Sequence, residues 1–263
     1  MAAEKRRDTA LITGASGGIG EELAKLCAAH KFDLVLVARS EEKLRKVASD
    51  LSSKHGIRAV ILPTDLADPA APARLCQELT VQGIDIDVLI NNAGFGLQGA
   101  FAEIGVPEMT AMLKVNIAAL TLLTRLLLPP MIRRGRGRVL NVASTAAYVP
   151  GPFMAEYYAS KAYVLSLTEA LASELQGTGV TATALCPGPT TTGFAEAAGV
   201  ARAKLFEAAM RADEVAKQGF EGMLQGKTVV IPGARNRWMA RLTGLVPRSM
   251  LAKIARGLNS PAR

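Results

Sequence analysis

Short apolar runs alternate with helix-like stretches from the start of the chain, and this alternation constrains the fold more than any other feature. Residues 9–13, 34–38, 59–63, 88–91, 138–142 and 180–186 read as strands, the second of them as Leu-Val-Leu-Val-Ala. These runs are apolar on both faces, as parallel strands covered by helices on each side must be. Helical patterns separate them, most clearly at 107–134 and 156–176. A strand–helix succession of this kind predicts the α/β class: a single doubly wound (Rossmann) parallel sheet with helices on both faces. A length of 263 residues suits one such domain and its core. No internal repeat or low-complexity linker interrupts it, and composition changes only near residue 222.

Ligands of such sheets bind beyond the carboxyl ends of the strands, so the residues that follow each strand are the ones to read. The first strand runs into Thr13-Gly14-Ala15-Ser16-Gly17-Gly18-Ile19-Gly20, and a helix starts near Glu21. Glycine there removes the Cβ that would keep a pyrophosphate from backbone amides, and the last glycine lets the helix pack on the sheet. The turn therefore predicts a dinucleotide site. The second strand ends in Ala38-Arg39-Ser40, with no acid before Glu41. An acid at this place suits the ribose hydroxyls of NAD, whereas an arginine suits a 2′-phosphate. Arg39 and Ser40 thus favour NADP(H) over NAD(H), the alternative being a solvated arginine paired with Glu41 or Glu42.

Other strand ends are polar where a core would be apolar: Asn91-Asn92-Ala93-Gly94, Ser144 and Thr145, and Cys186-Pro187-Gly188. Tyr157 and Lys161 are four residues apart on a predicted helix and share a face, whereas Tyr158 has only Ala162 at that spacing. A tyrosine normally titrates near pH 10, and a cation within about 4–6 Å lowers that value towards the range useful for acid–base catalysis. Lys161 is placed to supply the cation, assisted by an oxidised nicotinamide, and Ser144 to hydrogen-bond a substrate oxygen.

Taken together and in order, Thr13-Gly14-x-x-x-Gly18-Ile19-Gly20, Asp65 in Thr-Asp-Leu-Ala-Asp, Asn91-Asn92-Ala93-Gly94, Asn116, Ser144, Tyr157-x-x-x-Lys161 and Pro187-Gly188 resemble the short-chain dehydrogenase/reductase family up to about residue 232. The resemblance implies an NADP(H)-dependent oxidoreductase acting on a carbonyl or secondary alcohol. Tyr157 would be its general acid or base, and Lys161 would lower the tyrosine pKa and hold the nicotinamide ribose. Ser144 would orient the substrate, and Asn116 would anchor a water in a proton relay. By the same resemblance Asp65 and Leu66 lie beside the adenine, Asn92, Ala93 and Gly94 line the cofactor, and Thr190 and Thr192 meet the carboxamide. Thr190 stands where the family more often has Val or Ile, and Ser16 where some NADP-preferring members carry a basic residue. The alternative is an NADP-sensing binding protein that uses the fold without turnover. Helices 107–134 and 156–176 look like the pair through which family members form homodimers, often paired again into homotetramers.

Segment 189–212 is expected to form a substrate lid, with Thr192, Gly193 and Gly199 as hinges and Phe194, Ala195, Val200, Leu205 and Phe206 as apolar surface. The stretch 148–158, with Pro150, Phe153 and Met154, should provide the opposite wall. No Arg or Lys lies in 145–156, which argues against a small dianionic substrate and for a small apolar carbonyl or alcohol.

Charge sets the end of the chain apart. The formal charge is +8, yet the acidic residues, 23 in all, lie between Glu4 and Glu221 together with 23 of the 31 Lys and Arg. The remaining 8 basic residues occupy 222–263, which holds no acid. We therefore separate a cofactor-binding and catalytic domain, 1–232, from a basic amphipathic extension, 233–263. Helical wrapping of 248–258 puts Arg248, Lys253 and Arg256 on one side and Leu251, Ile254, Ala255 and Leu258 on the other. Segment 235–246 groups Trp238, Leu242 and Leu245, and Pro247 separates the two. Such a pair either packs its stripe on the domain or a sister subunit, or lies in an anionic membrane interface. Nucleic acid is not expected, because interleaved aromatics are absent. Three widely spaced cysteines without a CxxC pair argue against disulfides and against a metal site. The polar start, Met1 to Asp8, and the short run Ala10-Leu11-Ile12 predict no signal peptide, and the lack of an uninterrupted apolar stretch predicts no spanning helix. A cytoplasmic location follows as the expectation, with peripheral membrane contact left open.

Overall fold

The computed structural model describes residues 6–193, 198 and 209–260. Its core is a seven-stranded sheet of order β3-β2-β1-β4-β5-β6-β9, every pair parallel. The strands are β1 (Thr9–Thr13), β2 (Asp33–Ala38), β3 (Ala59–Pro63), β4 (Val88–Asn91), β5 (Gly137–Val142), β6 (Val180–Leu185) and β9 (Val229–Val230). A separate two-residue pair, β7 (Thr190–Thr191) and β8 (Met210–Arg211), lies after β6. The doubly wound architecture is as expected. The seventh strand was not, because two valines in a basic segment carry no periodic signal.

The two-residue period of the strands divides the core. Ala10 and Ile12 of β1 face one way and pack with α1 (Gly18–Ala29), α2 (Glu41–His55) and α7 (Ala212–Leu224), where Leu23, Leu44 and Phe220 are buried. Leu11 faces the other way, against α3 (Ala71–Val81) and α5 (Leu120–Arg133), with Leu75, Leu123 and Leu127. Next to α5, α6 (Ala155–Glu174) buries Val164 and Leu165 against Ala143 and Ala184.

Helix α4 (Val106–Leu113) continues through a π-helical stretch, Lys114–Ala119, into α5, giving one run of 28 residues. By length and composition this run is apolar enough to cross a membrane, although Lys114 and Arg125 break any uninterrupted apolar stretch. Here its inner face is core: Met112, Leu120, Leu123, Leu127 and Met131 are buried. The chain ends in α8 (Ala234–Thr243) and α9 (Arg248–Asn259), separated at Pro247 as the sequence predicts.

Order reverses at β1, which pairs with β2 on one side and β4 on the other. A crevice opens at the carboxyl ends of the strands beside such a switch point, and polar side chains hold its edges. The Thr13 hydroxyl accepts from the Asn92 and Ala93 amides, both at 3.0 Å, and Asn92 Nδ2 donates to the Thr13 and Gly14 carbonyls at 3.0 and 3.2 Å. Behind them, Asn91 donates to Thr124 (3.0 Å) and Asn141 (2.9 Å), and Asn141 to Thr168 (2.9 Å). This buried chain ties β4 and β5 to α5 and α6 through the Asn91 and Asn141 amides, which restricts their relative geometry.

Candidate active site

A cavity of about 1130 Å³ occupies the crevice. Its size is that of a site for a large ligand or for two ligands together. Gly14, Ser16, Gly18, Ile19, Arg39, Ser40, Asp65, Leu66, Asn92, Ala93 and Gly94 line it at one end. Ser144, Tyr157, Lys161, Pro187, Gly188, Thr190 and Thr192 line it further on. Residues more than a hundred positions apart thus share one wall, as the strand-end rule predicts.

Gly20 and Asn116, also expected in the site, stand behind it. At Gly20 an added Cβ would collide with the Gly14 carbonyl and the Asn92 amide, so glycine is what allows α1 to press against the loop. Gly17, the N-cap of α1, offers no side-chain cap. The first amides of the helix are therefore left for an anion at the positive end of its dipole. Asn116 lies in the π-helical stretch, a feature common at functional sites. Its Nδ2 donates to Phe95 O (2.9 Å) and Ser160 Oγ (3.1 Å), and its Oδ1 accepts from Phe95 N (3.1 Å). The expected water anchor is thus a side chain already occupied by protein partners, clamping the loop after β4 to α6.

Arg39 and Lys43 both reach the cavity, and neither forms an ion pair among the described residues. The alternative pairing of Arg39 with Glu41 is not found, because Glu41 pairs with Arg45 on the same helix. Lys43, in the first turn of α2, was not anticipated. Its amide donates to the Ser40 hydroxyl, which caps α2 at 3.4 Å. Gly17 also lines the cavity, although only its neighbours were singled out.

At the other end the Ser144 hydroxyl hydrogen-bonds Tyr157 and accepts from Ala146 N (3.1 Å). Lys161, 5% exposed, donates to Val142 O at 2.7 Å and lies 5.8 Å from the centre of the Tyr157 ring. Here the expected direction of the tyrosine shift is reversed. Burial pushes Tyr157 up to about 12, against the hydrogen bond from Ser144 that lowers it. The physical reason is that burial takes the phenolate out of water, and the Ser144 hydrogen bond returns only part of what is lost. Burial also brings Lys161 down to about 8. Cys186, behind them at the end of β6, is pushed up to about 12 by burial and stays a thiol.

The substrate end holds the largest surprise. Of the expected wall, Tyr148, Met154, Tyr157 and Tyr158 line the cavity, whereas Pro150 and Phe153 do not. Of the expected lid, Thr190, Thr192 and Gly193 line it. Phe194, Ala195, Gly199, Val200, Leu205 and Phe206 lie outside the described residues. The third wall comes from α8 and α9, with Leu242, Leu251, Ile254 and Leu258 among its residues. Their amphipathic pattern was visible; where the apolar stripe goes was not.

Known proteins point the same way. The short chain dehydrogenase family model matches residues 8–202. The chain is 41% identical over 175 residues to a very-long-chain 3-oxoacyl-CoA reductase of Phaeosphaeria nodorum, covering 65% of this chain and 51% of that protein. It is 38% identical over 180 residues to the ketoacyl reductase HetN of Nostoc sp., covering 68% of this chain and 62% of that one. The matches therefore span about half to three-fifths of these relatives. A short-chain dehydrogenase from Sphingobium yanoikuyae in complex with NADPH superposes with a TM-score of 0.81 at 33% identity, covering 97% of this chain and 96% of that one.

Proposed function

The chain belongs to the short-chain dehydrogenase family, and from that premise we propose that it is an NADP(H)-dependent ketoreductase or alcohol dehydrogenase for a mainly apolar substrate. The observation that carries this reading is the joining of Ser144, Tyr157 and Lys161 in one cavity to Arg39 and Lys43, which form no ion pair among the described residues. The oxoacyl reductases among its relatives and the NADPH complex among its structural neighbours support it.

The residues fit the dinucleotide. The uncapped start of α1, with Gly14, Ser16, Gly18 and Ile19, would hold the pyrophosphate, and Arg39, Ser40 and Lys43 the 2′-phosphate. Asp65 and Leu66 would flank the adenine, Asn92 to Gly94 the neighbouring ribose, and Lys161 the ribose of the nicotinamide. Pro187, Gly188, Thr190 and Thr192 would meet the carboxamide. When bound, NADPH supplies the hydride.

The chain's own part is the proton. With its pKa raised to about 12, Tyr157 is a neutral phenol at pH 7 and a proton donor to a carbonyl oxygen. Ser144, already hydrogen-bonded to that phenol, positions the same oxygen. Lys161, protonated below about pH 8, offsets the phenolate left when the proton goes. Asn116 is a positioning residue that holds the Phe95 loop against α6.

Oxidation of NADPH against a panel of apolar ketones tests the reading. Turnover is the expected result; tight NADPH binding with no turnover would favour the sensing protein instead. We propose in addition that the chain pairs with copies of itself through α5 and α6. Leu122, Leu126, Ile132 and Tyr163 are exposed on these helices, and Tyr163 and Thr121 join them by a hydrogen bond at 3.0 Å. Light scattering at the mass of one chain would remove that idea.

A further inference from the structure

The cofactor chemistry requires no third wall, yet α8 and α9 build one. Leu251, Ile254 and Leu258 follow one another at three- and four-residue steps, a single stripe of α9, and all three line the cavity that holds Tyr157. Leu242 of α8 and Val246 after it extend the stripe. Ile254 remains 53% exposed while facing the cavity, and Leu242 and Leu258 are exposed as well. Apolar surface left open inside a cleft is covered by a ligand rather than by the fold. Ala111, Val115 and Met154 also line this cavity, and none of them carries a charge. A charged ligand body against these side chains would lose its water with no partner to replace it.

The wall is also fastened. Asn259, at the end of α9, is buried and fully engaged. Its Nδ2 donates to Pro152 O at 3.1 Å, its Oδ1 accepts from the Tyr158 hydroxyl at 3.2 Å, and its carbonyl accepts from Gln98 Nε2 at 2.8 Å. Arg256 lies over the Phe153 ring at 5.3 Å, and Phe153 adopts φ 64°, a strained value for an aromatic residue. At the start of α8, Asn236 fills the space over Gly188, where an added Cβ would lie 2.6 Å from Asn236 Nδ2. The helices are thus tied at one end to the strand-end glycine and at the other to the residue following Tyr157.

We propose that α8 and α9 form a specificity-determining wall for a long alkyl or fused-ring carbonyl compound, with Ile254 and Leu258 against its apolar body and Asn259 as the positioning residue that sets the wall's distance from Tyr157. The proposal rests on the ketoreductase reading and adds the shape of the substrate to it. The test is a series of alkan-2-ones from butan-2-one to tridecan-2-one with NADPH. In the wild type kcat/KM rises with chain length. Ile254→Trp lowers the ratio of kcat/KM for tridecan-2-one over butan-2-one by about tenfold or more, the range that a few methylenes in an apolar pocket command. Asn259→Ala raises KM for tridecan-2-one more than for butan-2-one, and Tyr158→Phe reproduces part of that split. An unchanged ratio in Ile254→Trp overturns the wall, and an equal change in both KM values overturns the positioning role. Equilibrium dialysis of tridecan-2-one against the NADP⁺-loaded protein separates the two readings. Retention by the wild type but not by Ile254→Trp, without turnover of any ketone, means that the ketoreductase reading fails and the wall stands; equal retention by both removes the wall.

Discussion

At the glycine-loop end of the cleft, walls come from residues that follow directly on β1, β2 and β4, while at the tyrosine end they come from a loop at 148–158 and from helices near residue 250. The first end inherits its geometry from the sheet. Backbone hydrogen bonds set the strand ends, and Thr13, Asn91, Asn92 and Asn141 lock them from within. The second end depends on single long-range contacts such as Tyr158 with Asn259, 101 residues apart. The first end is fixed by the sheet itself, and the other can be reshaped without touching the sheet.

If that contrast is right, damage to the reacting group should be severe and should leave the glycine-loop end intact. Tyr157→Phe is expected to reduce kcat by about 10²- to 10⁴-fold, the usual reach of a general acid, with NADPH affinity by fluorescence titration little changed. Full activity in this variant would break the division of labour. Next in size is Arg39→Ala, which should raise KM for NADPH by about ten- to a hundredfold, the worth of a lost charge-assisted contact, with little change for NADH. Equal losses with both cofactors would mean that Arg39 does not read the 2′-phosphate.

A smaller effect concerns pH. Lys161 loses its proton near pH 8 in the folded chain and near 10.5 when unfolded. Between those values the unfolded chain binds more protons, so this group's contribution to stability rises with pH. Cys186, raised from 9.0, and Tyr157, raised from 10.0, work in the opposite direction, because the folded chain keeps their protons longer. The difference in Tm between the wild type and Lys161→Met isolates the lysine; it should shift in favour of the wild type from pH 8 to 10.5, and a flat difference would contradict the burial of a titrating ammonium.

The smallest expected effect lies outside the cleft. The apolar stripe of α9 lines the cleft, with Leu251 buried and Ile254 and Leu258 still exposed, so only part of it is open to a membrane. Trp238 of α8, 64% exposed, and Leu245 just after it, 81% exposed, remain on the outside, near in sequence to Arg235, Arg237 and Arg241. Weak, salt-sensitive co-sedimentation with anionic liposomes is the prediction. Strong binding that persists at high salt would mean that the helices leave the cleft.

Much of this was legible in advance. Six of the seven sheet strands were readable because doubly covered parallel strands are apolar throughout, and β9 was not because two residues make no pattern. The glycine turn, Arg39 and the Tyr157–Lys161 spacing were legible for a related reason: each is a local arrangement whose chemistry is set within a few residues. Lys43 was missed although it stands in the first turn of α2, directly after the Arg39-Ser40 segment. The direction of the Tyr157 shift was misread because spacing reveals a neighbouring cation but not how much water burial removes.

By itself, then, the sequence determined most of the sheet, the strand-end cleft and the residues that line its glycine-loop end, since local periodicity and glycine sterics act over short stretches of chain. Only the tertiary structure decided where the basic tail's apolar stripe goes, what Tyr158 and Asn259 bind, and which way the tyrosine titrates. Those depend on desolvation and on contacts closed across a hundred residues, and neither leaves a periodic mark in the chain.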